Sequence, residues 1–108
     1  MELAQLSDRA MQVHAAFAAA ATRRGARAWT REEVMQGFVG DVGDLMKLVM
    51  ARAGARPIAD VEAKLAHELS DCFWSILVLA RLYQVDLEGE FLRTMAGLEA
   101  AQAAPPPA

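Results

Sequence analysis

Residues 72–80, Cys-Phe-Trp-Ser-Ile-Leu-Val-Leu-Ala, are the stretch that decides the fold class of this chain. The run is apolar nearly all round, since Ser75 is its one polar member, and Arg81 ends it. A helix of this character is buried on most of its sides, in a core or at an interface. The run is far shorter than the ~20 apolar residues that cross a bilayer. It therefore predicts the centre of a packed helix in a soluble protein.

Helical patterns continue on both sides of this run. Apolar residues recur at three- and four-residue steps, and Ala, Met, Leu and Gln, which favour helices, are frequent. The predicted helices cover residues 2–24, a segment from Thr30 to the loop at Gly54 and Pro57, residues 61–83 and residues 87–99. Thr30 and Glu33 have the spacing of a capping box, and Asp60 and Asp86 stand where the next two N-caps are expected. The prediction is an all-α four-helix bundle.

The size and composition predict one oligomeric domain. Residues 1–99 form the expected helical domain, and the Ala- and Pro-rich residues 100–108 are expected to be disordered. The chain has 108 residues, of which 55% are hydrophobic. A domain this small buries only part of its apolar surface by itself. We therefore expect self-association into a homodimer or a homotetramer.

Charge and cysteine content bear on partners and location. The formal net charge is −3 and no basic stripe is present, so a nucleic-acid polymer is not an expected partner. Arg23, Arg24 and Arg27 are interpreted as a solvated cluster that compensates the dipole at the end of the first helix. The single cysteine, Cys72, has no partner for an intramolecular disulfide, and the N-terminus lacks the pattern of a signal peptide. We expect a cytoplasmic protein that makes no membrane contact.

Two acidic pairs are candidates for a metal site. Asp41 and Asp44 lie three residues apart on the second predicted helix, and Glu68 and Asp71 lie three apart on the third. Residues at this spacing share a helix face, and facing helices pack about 8–10 Å apart, so the two pairs can converge. In one interpretation both pairs face solvent; in the other a cation neutralises the four carboxylates. Oxygen ligands suit Mg²⁺, Mn²⁺ or Ca²⁺ rather than zinc.

The sequence around these acids resembles a known family. Residues 39–45, Val-Gly-Asp-Val-Gly-Asp-Leu, and residues 66–72, Ala-His-Glu-Leu-Ser-Asp-Cys, are similar to the two motifs of the MazG-like nucleotide pyrophosphohydrolases, Glu-Glu-x-x-Glu and Glu-x-x-Asp. Residues 83–87, Tyr-Gln-Val-Asp-Leu, resemble the segment that opens the last helix of that family. The resemblance covers roughly residues 29–99.

The resemblance implies an activity and a set of site residues. Members of the family are all-α and usually dimeric or tetrameric. They use Mg²⁺ to cleave nucleoside triphosphates between the α and β phosphates, which gives a monophosphate and pyrophosphate and removes unwanted nucleotides. The implied metal ligands are Asp41, Asp44, Glu68 and Asp71, with Asp44 or Glu68 as the catalytic base. Mn²⁺ is the other ion expected to serve these ligands.

The chain departs from the family pattern in the first motif. Gly40 stands where the family often has its first Glu, and Asp41 and Asp44 stand where Glu is usual. These departures support a second hypothesis, a catalytically weak or inactive MazG-like helical protein that binds a nucleotide or a protein partner. A third is a helical metal-binding module without nucleotide. Gly40 and Gly43 predict either that the two acid-bearing helices approach closely beside the short acids or that the glycines pack against a neighbouring helix.

Four further positions are candidates for substrate contacts. Lys47 and Arg93 are placed to contact phosphate; alternatively Lys47 pairs with an acid and Arg93 is a solvated helix charge. Trp74 lies three residues beyond Asp71, so Trp74 and Trp29 are candidates to stack on a base. The alternative for both tryptophans is a place in the core.

Overall fold

Four α-helices make up the fold in a computed structural model that describes residues 1–103 and 105–107. Helix α1 spans Leu3–Arg23, α2 spans Arg31–Arg52, α3 spans Val61–Leu82 and α4 spans Leu87–Ala103. The described residues contain no strand. The predicted all-α class and the four helices are therefore confirmed. None of the described helices combines the length and the apolar character that crossing a membrane requires.

Helix starts follow the predicted capping residues in two of three cases. The Thr30 hydroxyl accepts from the Glu33 amide at 3.2 Å and the Thr30 amide donates to Glu33 Oε1 at 2.9 Å, which completes a capping box. Asp86 Oδ1 accepts from the Gly89 amide at 3.1 Å and caps α4. The expectation that the Asp60 side chain caps α3 is wrong. Asp60 has a left-handed backbone with φ of 55° and makes no side-chain cap bond, because capping requires an extended backbone there.

Helices α2 and α3 form an antiparallel pair. At one end Arg52, near the end of α2, forms an ion pair with Glu62, near the start of α3. At the other end the guanidinium of Arg31 lies 4.5 Å from the ring centroid of Tyr83 and donates to the Leu82 carbonyl at 3.5 Å. Matched contacts at both ends keep the two helices aligned along their whole length. Residues near the middle of each helix therefore face one another.

The buried core joins three of the helices. It contains Ala10 from α1, Val34 from α2, and Leu77 and Val78 from α3. Val78 is fully buried, so α3 is the central element that contacts both α1 and α2. Burial of the Val34, Leu77 and Val78 side chains stabilises the fold by about 1.5–3 kcal/mol each. The apolar run in α3 thus supplies the core, as its composition predicts.

One side of α3 is nevertheless exposed. Leu77 and Val78 are buried, whereas Phe73 and Ile76 of the same run are open to solvent. Leu69, one turn earlier on the same side, is 54% exposed. Within this chain the helix is therefore covered only where α1 and α2 lie against it.

Helix α4 adds little to the core. Leu87 packs against the core, but none of the residues of α4 is buried. The radius of gyration is 17.9 Å, against about 13 Å expected for a compact domain of this length. The helix ends at Ala103 rather than at the predicted residue 99, because the Ala- and Gln-rich segment continues to favour helix. Pro105–Pro107 are not helical, and residues 104 and 108 of the predicted tail lie outside the described residues.

Candidate metal centre

Three of the four predicted acids come together between α2 and α3. Asp41 and Asp44 lie one turn apart on α2, and the antiparallel pairing places Glu68 of α3 opposite them. One carboxylate oxygen from each of these three residues lies within 4.8 Å of the other two. Asp41 and Glu68 are half-buried, whereas Asp44 is exposed. The cluster is therefore closed on the protein side and open on the Asp44 side.

Asp71 lies beside this cluster but outside the tight group of three. Its Oδ2 contacts His67 Nε2 at 3.2 Å, one helical turn away on α3. Its negative charge nevertheless raises the pKa of both Asp41 and Glu68. Asp71 is thus close enough to act on the cluster electrostatically while its side chain is turned toward His67.

The cluster is electrostatically strained. Burial raises the pKa of Asp41 and of Glu68, and the charges of neighbouring acids raise both pKa values further. Glu68 Oε2 is buried and has no hydrogen-bond partner among the described residues. A buried polar atom without a hydrogen-bond partner costs about 1–3 kcal/mol, and the cost is higher when the group is charged, as a carboxylate is. A bound cation would relieve both the orphan oxygen and the repulsion.

Cys72 lies next to these acids but is not a candidate nucleophile. Its side chain is buried, and burial together with the charges of Asp41, Glu68 and Asp71 raises the pKa of its thiol. A thiol held neutral in this way does not react readily. Cys72 is therefore a buried and unreactive side chain.

The raised carboxyl pKa values predict how the stability of the metal-free protein depends on pH. Unfolded carboxyls titrate near pH 4, so just above that pH the native state binds more protons at Asp41 and Glu68 than the unfolded state does. The free energy of unfolding therefore falls as the pH rises through their folded pKa values. We expect the melting temperature in EDTA to be higher near about pH 5 than near about pH 8.

Stability should also decline at lower pH for a different reason. The hydrogen bond from Arg27, which is the larger cause, and the one from the Thr30 amide lower the pKa of Glu33 to about 2. The stabilisation that the ionised Glu33 carboxylate gives the native state is present above the ordinary carboxyl pKa and is lost as the pH falls toward about 2. Thermal melts monitored by circular dichroism from acid to neutral pH measure both effects. A melting temperature that rises steadily toward pH 8 would contradict the assignment of strain to the acidic cluster.

A cavity of about 700 Å³ adjoins the acidic cluster on the side of α1. Asp41 and Asp71 lie in its wall, together with the aromatic side chains of Phe17, Trp29 and Trp74. This volume falls within the range of about 300–1,000 Å³ usual for small-molecule sites. The structure therefore joins an aromatic compartment to the predicted acids.

The two tryptophans have different roles in this wall. Trp74 Nε1 donates to the Ala10 carbonyl at 3.1 Å, and its ring meets that of Phe17 edge-on, with centroids 5.9 Å apart. Trp74 therefore links α3 to α1 as well as lining the cavity. Trp29 is 60% exposed, and its ring lies over Gly37, where an added Cβ would come within 2.7 Å of the ring. The indole of Trp29 can approach α2 this closely because Gly37 has no side chain.

The cavity wall also contains two arginines that the sequence analysis did not assign to a ligand site. Arg24 and Arg27 line the cavity, although both are exposed, as the predicted solvated cluster requires. Arg27 also pairs with Glu33 at 2.5 Å. Their clustering in the sequence was the available signal, but the loop that turns them toward the cavity is a tertiary feature.

Lys47 and Arg93 lie away from the cavity wall. Arg93 pairs with Glu90 on α4, with Nη2 and Oε2 2.7 Å apart. Lys47 is exposed on α2, one turn beyond Asp44. Neither residue lines the cavity in the described part of the chain.

The glycines in the first motif do not serve a close approach of α2 to α3. A Cβ added to Gly40 or Gly43 would meet no atom within 4 Å. The expectation that small residues let these two helices come together is therefore wrong, because both glycines lie on the outer side of α2. Each still costs the helix about 0.5–1 kcal/mol relative to alanine.

No protein-family model, no curated protein and no solved structure matches this chain.

Proposed function

We propose that this chain is a Mg²⁺-dependent, MazG-like nucleoside triphosphate pyrophosphohydrolase. It would convert a ribo- or deoxyribonucleoside triphosphate and water into the monophosphate and pyrophosphate, and so remove unwanted nucleotides. The observation that carries the proposal is the convergence of three carboxylates, one of which, Asp41, also lies in the wall of the adjoining aromatic cavity. A nucleotide has the same two-part character, with a flat apolar base and a charged phosphate chain.

The residues present fit a divalent cation. Asp41, Asp44 and Glu68 offer oxygens within 4.8 Å of one another, and oxygen ligands are those that Mg²⁺ and Mn²⁺ prefer. The partnerless Glu68 Oε2 is an oxygen that a cation would satisfy. Asp71 is proposed as the fourth ligand after its carboxylate turns from His67. The convergence of Asp41 and Asp44 with Glu68 supports the idea that aspartates reach the site where glutamates are usual in the family.

The cavity supports a pose for the rest of the substrate. Trp29 and Phe17 offer flat apolar surface on which a base can stack, and stacked aromatic pairs are favourable by about 0.5–1.5 kcal/mol. Arg24 and Arg27 at the wall attract phosphate oxygens. With the base at the aromatic end, the phosphates lie toward Asp41 and Asp71.

The reaction follows from these positions. When bound, Mg²⁺ neutralises phosphate charge and acidifies the attacking water. Glu68, which is half-buried, is the base in preference to the exposed Asp44, and it accepts the proton of that water on the carboxylate oxygen that the cation would leave free. The water oxygen forms a bond to the α phosphorus, the bond from that phosphorus to the bridging oxygen breaks, and pyrophosphate leaves. To contact a phosphate, Lys47 would have to reach past Asp44, and Arg93 would have to approach from α4. Phosphate contacts from these two residues therefore have less support.

A second candidate is a helical protein that binds nucleotide without efficient catalysis. Gly40 supports it, because this position carries no carboxylate and faces open space. The metal cluster then lacks the first acid of the family motif. Binding would use the same cavity and would leave the nucleotide intact.

The deciding experiment is a pyrophosphate-release assay on the full chain with Mg²⁺ and a panel of ribo- and deoxyribonucleoside triphosphates. We expect pyrophosphate and monophosphate in equal amounts, with no release in EDTA and release restored by Mn²⁺. Calorimetry on the same samples detects binding separately. Binding without product would favour the second candidate, and neither binding nor product would contradict both.

A further inference from the structure

Ser75 is the one polar residue in the apolar run of α3, and it lies in the wall of the aromatic cavity. The residue is almost completely buried, with 2% of its surface exposed. Burying a hydroxyl that has no hydrogen-bond partner is unfavourable, whereas alanine would occupy the same place in the helix without that cost. The packing of the core therefore does not explain a serine at this position.

The Ser75 hydroxyl has no hydrogen-bond partner among the described residues. A serine or threonine in a helix can donate to the carbonyl one turn back. Thr22 does so, with its hydroxyl 3.1 Å from the Ala18 carbonyl, but Ser75 makes no such bond. In the described part of the chain, Glu68 Oε2 is the one fully enclosed side-chain oxygen that lacks a partner. The Ser75 oxygen thus keeps some exposure, and this exposure is toward the cavity that Ser75 lines.

The wall around Ser75 is apolar. Val34 is buried beside it on α2, and the neighbouring Trp74 is half-buried. The other polar residues of the wall are half-buried or exposed, and they are His14, Arg24, Arg27, Asp41, Ser70 and Asp71. Ligand cavities are mostly apolar, with a few polar groups that fix the orientation of the ligand. Ser75 has the position of such a group at the most buried part of this wall.

Ser75 lies at a suitable distance from the acids. It is one turn beyond Asp71 and seven residues beyond Glu68 on α3, which corresponds to about 10.5 Å along the helix axis. The contacts at both ends of the antiparallel α2–α3 pair place it close to the level of Gly37, over which the Trp29 ring lies. A nucleotide has a similar extent between the outer edge of its base and its α phosphate. A base stacked on Trp29 can therefore present its edge to Ser75 while the phosphates reach the acids.

We propose that Ser75 determines which base the cavity accepts, through a hydrogen bond between its hydroxyl and a polar atom on the edge of the base. The inference rests on the proposed function, because it takes a nucleotide as the ligand of the cavity. A hydroxyl both donates and accepts, so a carbonyl oxygen, a ring nitrogen or an amino group can bind it. A base that places an apolar carbon there displaces water from the hydroxyl and offers no partner in return.

The test measures the affinity of the full chain, with Mg²⁺, for the 5′-monophosphates of adenine, guanine, cytosine, uracil and thymine nucleosides by calorimetry. We expect Ser75→Ala to weaken binding of the best-bound monophosphate about three- to tenfold and to weaken the poorly bound ones much less. Ser75→Cys keeps nearly the same size but is a weak donor, so its effect should be similar. The control is Ser7→Ala, the same change at a buried serine outside the cavity wall, which should leave every affinity unchanged.

The melting temperature without nucleotide separates a binding role of Ser75 from a structural one. A hydroxyl without a protein partner does not stabilise the fold, and alanine favours helix. Ser75→Ala should therefore melt at or above the temperature of the parent chain. A hydroxyl that bonds within the protein would instead make the variant melt at a lower temperature. Unchanged or higher stability together with weaker binding is expected of a residue that serves the ligand rather than the fold.

Four results would overturn the proposal. They are a lower melting temperature in Ser75→Ala, equal losses of affinity for every base, unchanged affinities, and no binding of any monophosphate to the parent. Pyrophosphate release from the triphosphates is measured in parallel. Release by the parent with an unchanged base preference in Ser75→Ala would remove this inference alone. A base-dependent loss of binding in a chain that releases no pyrophosphate would instead contradict the hydrolase and support the role of Ser75.

Discussion

The Glu68→Gln variant is expected to release pyrophosphate from nucleoside triphosphates at least about a hundredfold more slowly than the parent chain. The substitution keeps the size of the side chain and removes the carboxylate that we propose as the base for the attacking water. It also removes one negative charge from the group formed with Asp41 and Asp44. The rate loss is measured with Mg²⁺ at saturating nucleotide, and calorimetry measures the accompanying loss of Mg²⁺ affinity.

The same variant has an opposite effect on the metal-free fold. Burial and the charges of Asp41, Asp71 and Asp44 raise the pKa of Glu68, so its ionised form destabilises the native state at neutral pH. A neutral glutamine there should raise the melting temperature in EDTA. The control is Glu99→Gln, the same change on the exposed surface of α4. Retained activity in Glu68→Gln, or equal losses in both variants, would refute the catalytic role of Glu68.

The Trp74→Ala variant is expected to lose about 2–3 kcal/mol of unfolding free energy, because the indole is half-buried and links two helices. The indole donates to the Ala10 carbonyl at 3.1 Å and packs edge-on against Phe17, so truncation removes both the packing and the side-chain hydrogen bond between α1 and α3. Equilibrium unfolding in urea measures the loss. Parent and variant must be compared at one protein concentration, because self-association would add to the measured stability.

Trp29→Ala is the matched control for this change. Trp29 lines the same cavity but is 60% exposed, and no hydrogen bond of its indole holds another helix in the described residues. Its truncation should cost less than about 1 kcal/mol while weakening nucleotide binding, since it offers stacking surface rather than core packing. Comparable stability losses in the two variants would show that Trp74 is not a structural link between α1 and α3.

Local sequence rules predicted the helices and the position of the acids well. The Thr30–Glu33 capping box and the Asp86 cap are short-range features that depend on a few neighbouring residues. The convergence of Asp41 with Glu68 follows from two helical spacings and one short connection, so it too could be predicted. The contact of His67 with Asp71 was also readable, because these residues are one turn apart.

Features that depend on tertiary context were missed. The backbone of Asp60 is left-handed because of the path of the loop into α3, which no spacing rule describes. Arg24 and Arg27 reach the cavity through the turn between α1 and α2. The open space over Gly43 depends on which side of α2 faces α3, and a helical pattern with apolar residues on both sides does not specify this.

The division of the core among the helices has a consequence for local unfolding. All the buried core residues belong to α1, α2 and α3, so these helices form one cooperative unit. Helix α4 packs against them through Leu87, and none of its own residues is buried. Opening of α4 therefore costs only a small part of the global unfolding free energy. Since the acids and the cavity wall belong to the other three helices and the α1–α2 connection, α4 can fray and re-form without disturbing them.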